Sequence, residues 1–474
     1  MKNLMITAAI FSISFGAMAQ KKPADILKKL EAKTAYYSDI AQQIWGLAEM
    51  GYQEEQSSDL LQETLSAAGF KIATAVAGIP TAFTAEYGTE GPVIAILGEY
   101  DALPGLSQKA VPNKESAGEK AGHACGHHLF GAGSAWAAVA IKEWLEESNI
   151  PGRVVFYGTP AEEGGSGKVY IARSGAFDNV DIMLHWHPGS SNNASPRSTN
   201  SNMSGKFTFK GISAHAASAP HKGRSALDGV EAMNMMVNMM REHVPQDSRL
   251  HYVITKGGLA PNVVPDLAQV YYYVRHPRRE VVKELFARVV DTANGAALGT
   301  GTQMSYEVMH GNYSLLPNET LQRVMQAKLE ELGGVSYSAA EQKYAETIYK
   351  TLVQPSAEIG DQESISPYQR THGYGSTDVG DVSWLIPTGG IGVATWVPGT
   401  AAHSWQAVST GGTSIGLKGT KLAAKALAAT ALEIYENPRI VDQAKQELQN
   451  NVGPDFKYQA LLGDRKPPLN YRNN

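Results

Sequence analysis

One ten-residue stretch concentrates side chains that could bind a metal ion. AGHACGHHLF, residues 121–130, contains the only cysteine of the chain, Cys125, among three histidines. Thiolate sulfur and imidazole nitrogen are ligands for zinc and similar divalent ions. Cys125 and His127 stand two residues apart, and alternate residues of an extended segment share a face. A buried structural cysteine is the alternative that this spacing alone leaves open.

Two adjacent glutamates follow another apolar segment. Glu162 and Glu163 come after GRVVFYGTPA and are followed by GGSG. Neighbouring side chains point in different directions, so one carboxylate can bind a metal while the other faces a water molecule. The carboxyl ends of strands in an open α/β sheet are where ligands bind. A solvated acidic turn is the ordinary alternative, but the glycines favour close approach of the backbone to a ligand.

Further candidates stand at the ends of other apolar segments. LHWHPG contains His185 and His187 on one face, and GTAAHSWQ contains His403 in a glycine-rich context. Asp101 in GEYDALPG is suited to accept a ring N–H from a ligand histidine and so to fix its tautomer. Each residue alone could have a structural, hydrogen-bonded role. Together, ligand-type residues at the ends of four apolar strands or loops predict a metal site.

These residues need strands and helices to position them. PVIAILGEYDALPG and GRVVFYG read as buried strands, and GAGSAWAAVAIKEWLEE reads as a helix after the cysteine segment. Such alternation indicates an α/β layer architecture. Nearer the N-terminus, ADILKKLEAKTAYYSDIAQQIWGLAEM is predicted to form one long helix. SSDLLQETLSAAGF is predicted to form another, capped by Ser57 or Ser58 and stopped by Gly69.

The net charge and the N-terminal segment limit the class of protein that this chain can be. The chain has 474 residues and a formal net charge of −5, which argues against a nucleic-acid-binding protein. MKNLMITAAIFSISFGAMAQ has an early lysine, an apolar run and small residues before Ala19, the order of a cleaved secretory signal. A buried N-terminal helix is the alternative. We expect a periplasmic or secreted protein without a membrane span after cleavage.

The pattern changes near residue 203. GKFTFKGIS begins a succession of strand, helix, two strands, helix and strand, which is the ferredoxin-like order. The serine- and asparagine-rich segment 189–202 is predicted to be a polar linker before this small domain. The domain boundaries that we expect are a signal peptide at 1–19, a catalytic metal-binding domain at 20–202 and 311–474, and a lid or dimerisation domain at 203–310.

Six motifs, taken in order, resemble a known family. They are GEYDALPG, GHACGHHLFGAG, GTPAEEGGSGK, GISAHAASAPHKGRSALDGV, GGLAPNVVPD and STDVGDVSW. They resemble the binuclear-metal amidohydrolases and peptidases that include aminoacylase, carboxypeptidase G, hippurate hydrolase and auxin-conjugate hydrolases. The likeness is greatest to the branch formed by the B-type subunit of aminobenzoyl-glutamate hydrolase. The resemblance implies a zinc-peptidase-like, mixed-sheet catalytic domain with an inserted ferredoxin-like lid through which two chains form a homodimer.

The resemblance also implies roles for individual residues. Glu162 becomes the general base. His187 is favoured as a metal ligand, but His185 matches the position used in the auxin-conjugate branch, so both stay open. His128 departs from the aspartate that much of the family has there. The other implied ligands of two divalent ions, zinc or manganese, are Cys125, His127, Glu163 and His403.

Three residues of the lid also match family positions. His215 corresponds to the histidine that reaches the active site of the partner chain and polarises the scissile carbonyl; without the family, a surface histidine would be the better interpretation. Asn262 and Arg275 match positions that bind the substrate carboxylate, to which a guanidinium fork is suited. The methionines of the helix predicted between His215 and Asn262 are expected to pack in the core or at an interface.

These assignments predict a metal-dependent amidohydrolase. The expected substrate is an N-acyl amino acid or a dipeptide, with aminobenzoyl-glutamate and related aroyl or acyl amino acids as candidates. One alternative is an exported dipeptidase of the same fold. Another is a non-catalytic dimeric ligand-binding protein, against which the presence of Glu162 argues. The need for a homologous partner subunit stays open, as does the choice between zinc and manganese.

Overall fold

The computed structural model describes residues 23–472, so the predicted signal at residues 1–19 lies outside the described part. The helices of this part are α1 Pro23–Ala32, α2 Thr34–Leu47, α3 Glu55–Ala67, α4 His127–Ser148, α5 Glu162–Gly165, α6 Gly167–Arg173, α7 Ala226–Met240, α8 Arg279–Thr300, α9 Glu319–Leu332, α10 Ala339–Tyr349, α11 Val379–Ser383, α12 Trp405–Gly411, α13 Ser414–Glu436 and α14 Arg439–Val452. Its strands are β1 Lys71–Thr74, β2 Phe83–Tyr87, β3 Val93–Gly98, β4 Leu103–Pro104, β5 Ala121–Gly122, β6 Arg153–Gly158, β7 Ile182–Gly189, β8 Arg197–Thr199, β9 Ser201–Lys210, β10 Arg249–Lys256, β11 Leu267–His276, β12 Gln303–Asn312, β13 Thr371–Gly373 and β14 Thr388–Ala394.

A six-stranded mixed sheet forms the centre of the larger part. Its strand order is β1-β2-β6-β3-β7-β14. The run β6-β3-β7-β14 is parallel, whereas β1 pairs antiparallel with β2, and β2 pairs antiparallel with β6. The apolar strand β3 is buried along its whole length, as expected of a parallel strand covered on both faces. The predicted mixed-sheet α/β architecture is confirmed.

Long apolar helices cover this sheet. The helix α4 packs on α13 and on β3, β6 and β7, while α13 also contacts β14. The tryptophans of α4, Trp136 and Trp144, are buried, and Trp136 stacks on Tyr37 with ring centroids 5.1 Å apart. Within residues 23–472, none of the helices combines the length and the apolar character needed to cross a bilayer.

The parallel strands bring the predicted site residues to one edge of the sheet. Strand β3 leads directly to Asp101, and β6 leads through a short turn to Glu162. Strand β7 carries His187 near its carboxyl end, and β14 leads to the loop that contains His403. Since all four strands run in the same direction, residues at their carboxyl ends converge on the same edge.

A second sheet forms the smaller domain, residues 201–312, for which we keep the name lid. Its strand order is β10-β11-β9-β12, all pairs are antiparallel, and α7 and α8 pack on each other and on the sheet. The order β9-α7-β10-β11-α8-β12 is the predicted ferredoxin-like order, which is confirmed. The lid has a core of its own that includes Phe207, Tyr272 and Phe286. The edge strand β10 is largely exposed.

Two predictions about N-terminal helices were wrong. The single long helix is two helices, α1 and α2, which break at Lys33 and both pack on α4. The amphipathic pattern is continuous across this break and so did not report it. The helix α3 is not capped by a serine of its own sequence. The Glu49 carboxylate accepts its first free N–H groups, at 3.1 Å from Gln56 N and 2.8 Å from Ser57 N.

The segment 189–202 is not the predicted linker. It contains β8, which pairs with β13, and its Asn192 and Asn200 are fully buried. The Asn192 side chain donates to the carbonyl of Gln362 at 2.7 Å and accepts from the N–H of Ala394 at 2.9 Å. Polar composition predicted solvation, but these amides satisfy buried backbone groups instead.

Candidate active site

The cysteine segment turns sharply before α4. The prediction that Cys125 and His127 lie on one face of an extended segment is wrong, because Gly126 has φ +76° and His127 already begins the helix. A Cβ at Gly126 would lie 2.6 Å from Cβ of Pro188, so glycine is needed for space as well as for the turn. The turn nevertheless places Sγ of Cys125 3.5 Å from Nε2 of His187.

The imidazole of His127 lies between two carboxylates. Its Nδ1 is 2.8 Å from Oδ1 of Asp101, and its Nε2 is 3.0 Å from Oε2 of Glu99. Burial opposes a charge on the ring, but the two carboxylates outweigh it and raise the pKa of His127 well above its usual value. Oδ2 of Asp101 also accepts the N–H of Glu163 at 2.8 Å. Asp101 therefore joins the histidine to the glutamate loop.

Glu163 and His403 meet from distant parts of the chain. Oε1 of Glu163 is 3.2 Å from Nε2 of His403, and this contact raises the pKa of the histidine. The N–H of His403 donates to the carbonyl of Ala124 at 2.9 Å, which ties the C-terminal loop to the cysteine segment. His403 has φ +61°, a conformation that is uncommon for a residue other than glycine and that clusters at functional sites.

These side chains form two overlapping groups that could each hold a divalent ion. One contains Cys125, His127 and His187, the other contains Cys125, Glu163 and His403, and the ligand atoms of each group lie within 4.8 Å of one another. Burial raises the pKa of the Cys125 thiol, so a thiolate there needs a cation beside it. Sulfur, nitrogen and carboxylate oxygen suit zinc and also permit manganese.

Buried polar atoms without a hydrogen-bond partner also support a metal site here. Within residues 23–472, Nε2 of His127, Oε1 of Glu163 and Oε2 of Glu99 are buried and have no hydrogen-bond partner. Two of the close contacts, His127 with Glu99 and Glu163 with His403, lack hydrogen-bond geometry although the atoms lie 3.0 and 3.2 Å apart. Buried polar groups are normally paired, so atoms left in this way are suited to a shared cation.

The structure separates the two histidines of LHWHPG. His187 reaches Cys125, and its Nδ1 lies 2.8 Å from the carbonyl oxygen of Pro188, which leaves Nε2 for a ligand role. His185 belongs to none of the ligand groups found within residues 23–472. Its ring packs on Gly390, where an added Cβ would lie 2.2 Å from Nε2. His185 lies two residues before His187, further from the carboxyl end of β7, and so does not reach the site.

Glu162 begins the short turn α5 beside the ligand groups. One of its carboxylate oxygens lies within 4.8 Å of ligand atoms of Glu99 and His127. Burial, together with the charges of Glu99 and Glu163, raises the pKa of Glu162 well above its usual value. A carboxyl group in such a place is a candidate for proton transfer.

A buried ion network beside the site was not predicted. Nζ of Lys168 lies 2.6 Å from Oε1 of Glu99 and 2.8 Å from Oδ1 of Asp378, and all three side chains are buried. The lysine charge compensates two carboxylates that would otherwise be costly to bury. A signal was present, since Glu99 stands two residues before Asp101 and therefore on the same face in GEYDALPG. Lys168 and Asp378 also lie within family motifs.

The remaining histidines of the cysteine segment face away from the ligand groups. Nε2 of His123 lies 3.0 Å from the carbonyl oxygen of Ile44, and Nε2 of His128 lies 3.1 Å from that of Gly411. Their rings are 4.9 Å apart, and burial lowers the pKa of both. His128, the departure from the family's aspartate, thus packs on the C-terminal part of the chain.

The three lid candidates lie on the smaller domain. His215 and Asn262 are exposed neighbours, since the N–H of Ala216 donates to the Asn262 carbonyl at 3.0 Å. Within residues 23–472, every hydrogen-bond partner of His215 belongs to the lid. Arg275, near the end of β11, is partly buried with its guanidinium 5.2 Å from the ring centroid of Tyr273.

Comparison with known proteins identifies the family. Residues 197–300 match a family model described as the M20 peptidase dimerisation domain. Over 449 residues, the chain is 40% identical to the B-type subunit of p-aminobenzoyl-glutamate hydrolase from Escherichia coli (strain K12), a match that covers 89% of this chain and 93% of that protein. The chain belongs to the M20 peptidase family. This M20 protein is a metal-dependent amidohydrolase whose cofactors are divalent metal ions.

Two further similarities agree with this M20 assignment. The chain is 30% identical over 427 residues to the Xaa-Arg dipeptidase of Mus musculus, covering 86% of this chain and 88% of that protein. A solved dinuclear metal-binding peptidase of the M20 family from Bacillus subtilis superposes with a TM-score of 0.57 at 18% identity, covering 85% of this chain and 99% of that one. The second similarity supports the fold alone. The family expected from the six motifs is confirmed.

Proposed function

We propose that this M20 enzyme hydrolyses the amide bond of N-acyl amino acids, with aroyl-glutamates such as aminobenzoyl-glutamate as preferred substrates. The convergence of ligand groups from four parts of the chain beside Glu162 carries this proposal. The similarity to one of the chains of a p-aminobenzoyl-glutamate hydrolase supports the substrate class. The similarity to a dipeptidase favours dipeptides as the second candidate class.

Two divalent ions, zinc or manganese, would be held by the two ligand groups that share Cys125. When bound, they supply Lewis-acid chemistry that lowers the pKa of water from about 16 toward 7. Glu162 would take the proton from the attacking water and deliver it to the leaving amine. Asp101 would keep the His127 ring in place through Nδ1, so that Nε2 faces the site.

Arg275 would bind the free carboxylate of the substrate, and Asn262, which neighbours His215 at the opposite end of β11, would join it from a partner chain. Nε of Arg275 is buried and has no hydrogen-bond partner within residues 23–472. A guanidinium left in this way is suited to an incoming carboxylate, which it can bind through two parallel hydrogen bonds. A free carboxylate next to the scissile amide is the substrate feature that such a guanidinium would recognise.

His215 would stabilise the developing oxyanion in the active site of a partner chain. The N–H groups of Ala217 and Ser218 both donate to Nδ1 of His215 at 3.2 Å, so the ring proton belongs on Nε2, which can donate. A homodimer through the lid would bring this donor to the partner's site. The exposed apolar side chains of β10 and α7 supply a surface for such pairing; they include Tyr252, Val253, Ile254, Met235 and Met239.

Mixed dimers test whether His215 acts across the interface. The single variant His215→Ala and the single variant Glu162→Gln are each expected to be nearly inactive. When they are co-expressed with different tags and purified through both, each dimer keeps one complete site, so about half of the wild-type specific activity should return. Activity is measured at equal metal content. Mixed dimers as inactive as the single variants would place His215 and Glu162 of the same chain in one site.

We also propose that the chain is exported by the signal at residues 1–19 and acts after that segment is removed. The charged, apolar and small-residue order of that segment supports this. The domain division proposed with it keeps residues 203–310 as the lid between the two catalytic segments. A homologous second subunit is the alternative partner, and would be needed if the purified chain were inactive alone.

A substrate panel tests the proposed function. The mature protein, reconstituted with zinc or with manganese, is assayed on p-aminobenzoyl-glutamate, benzoyl-glycine, N-acetyl amino acids and dipeptides ending in arginine. The highest kcat/KM is expected for the aroyl-glutamate. A preference for dipeptides would favour the peptidase alternative. Binding of these ligands without turnover by the fully metal-loaded protein would indicate a non-catalytic binding protein.

A further inference from the structure

The chain after α14 crosses from the catalytic domain over the lid junction. We call residues 456–472 the C-terminal strap. The Tyr458 hydroxyl donates to Oδ1 of Asp381 at 2.7 Å, and Nη2 of Arg465 lies 2.7 Å from Oε1 of Glu307 on the lid strand β12. Nη2 of Arg173 in α6 donates to the Arg465 carbonyl at 2.8 Å. The strap is thus bonded to both domains along its course.

The strap ends on the catalytic turn α5. The Tyr471 hydroxyl donates to the carbonyl of Glu163 at 2.9 Å, although the two residues are 308 positions apart. Nη2 of Arg472 donates to the same oxygen. The ring of Tyr471 packs edge-on against Tyr52, with centroids 5.6 Å apart. An added Cβ at Gly51 would lie only 2.4 Å from the Tyr471 hydroxyl, so glycine there leaves space for it.

The Glu163 carbonyl accepts donors from outside its own turn, at a point where the backbone is irregular. Glu163 has ψ 70° and Gly164 has φ +82°, so the backbone leaves helical geometry at this point. The turn is also flanked by Ala161 and Ser166, which have φ +58° and +61°. Non-glycine residues in this region of backbone space are strained and persist only where their surroundings hold them. The turn therefore depends on contacts from elsewhere in the fold.

Both sides of Glu163 are held by such contacts. Its N–H donates to Oδ2 of Asp101, whose Oδ1 binds His127, and its carbonyl accepts from Tyr471 and Arg472. The guanidinium of Arg472 lies 4.7 Å from the ring centroid of Tyr471, so the two donors also support each other. The direction of the Glu163 side chain follows from the orientation of this backbone.

We propose that Tyr471 and Arg472 are positioning residues that hold the Glu162–Glu163 turn in the orientation required for metal binding and proton transfer. This inference rests on the proposed roles of the two glutamates. Removing both donors would let the strained turn relax and would move both carboxylates. Displacements of about 1 Å in such groups can lower the rate about 100-fold.

The test is a double variant in the full-length chain, Tyr471→Phe with Arg472→Met. We expect kcat to fall roughly 10-fold or more, with KM within about threefold of wild type, because the substrate-binding groups of the lid are untouched. Metal retention against a competing chelator should weaken by roughly 10-fold, as for other supports of metal ligands. Arg472→Lys with Tyr471 intact keeps two donors and should restore most of both quantities.

The matched control is Tyr36→Phe with Arg439→Met, the same chemical changes at two exposed residues of α2 and α14. Its kcat and metal retention should equal those of wild type. A strap variant with a lower Tm but unchanged kcat and metal retention would overturn the inference, since the strap would then only stabilise the fold. Inactivity of the metal-loaded wild type would instead refute the proposed function, and metal retention would still report on the strap.

Discussion

Replacing Glu162 with glutamine is expected to abolish most hydrolysis while leaving metal content unchanged. Glutamine keeps the size of the side chain but can neither accept the proton of the attacking water nor pass it to the leaving amine. Loss of a general acid–base group lowers rates by about 10²–10⁴-fold. The measurement is kcat on the best substrate of the panel, with elemental analysis of the same sample.

Glu90→Gln is the control for this change, because Glu90 is exposed and has the same chemistry. It should leave both activity and metal content at wild-type values. Two results would contradict the role of Glu162. Full activity would show that another group moves the proton. Loss of metal would make Glu162 a ligand, a role that its closeness to Glu99 and His127 also allows.

Alanine at His187 is expected to cost metal binding, whereas alanine at His185 is not. Nε2 of His187 lies 3.5 Å from Sγ of Cys125, while His185 packs on Gly390 outside the ligand groups. Loss of an outer partner of a ligand already weakens metal binding about 10–100-fold, and loss of a ligand should cost more. Metal per chain after dialysis against a graded chelator, together with kcat, measures the difference.

The two histidine variants serve as controls for each other. Both remove an imidazole from the same face of β7, so a general loss of stability would affect them alike. His185→Ala should lower Tm through the cavity that it leaves, but should keep metal and activity. If His187→Ala retained metal and His185→Ala lost it, His185 and not His187 would be the metal ligand.

Local patterns predicted much of the scaffold because each pattern reports one physical requirement. The uninterrupted apolar run of β3 required burial on both faces, and the structure buries it on both faces. Alternation of apolar residues predicted the lid strands, and the order of the lid elements followed from the chain itself. The prediction of a linker failed because a polar side chain can either face solvent or bond to buried backbone groups, and composition does not distinguish the two. Asn192 and Asn200 looked solvated but are buried and bonded to the backbone.

The candidate ligands were also visible in the chain, because cysteine, histidine and paired glutamates at strand ends are uncommon without a function. Sequence alone determined that Cys125, His127, Glu163 and His403 were candidates of suitable chemistry. It could not choose between His185 and His187, since both occupy the same strand face and differ only in depth. That depth depends on where β7 ends relative to its neighbours.

Only the tertiary structure decided the contacts between distant segments. Lys168 with Glu99 and Asp378, and Tyr471 with Glu163, join positions far apart in the chain. Periodicity reports which face of an element is buried, but not which partner lies opposite, because that depends on how whole elements pack. The chain therefore determined the chemical groups available to this enzyme, while packing determined which of them meet and which carbonyls and carboxylates are held in place.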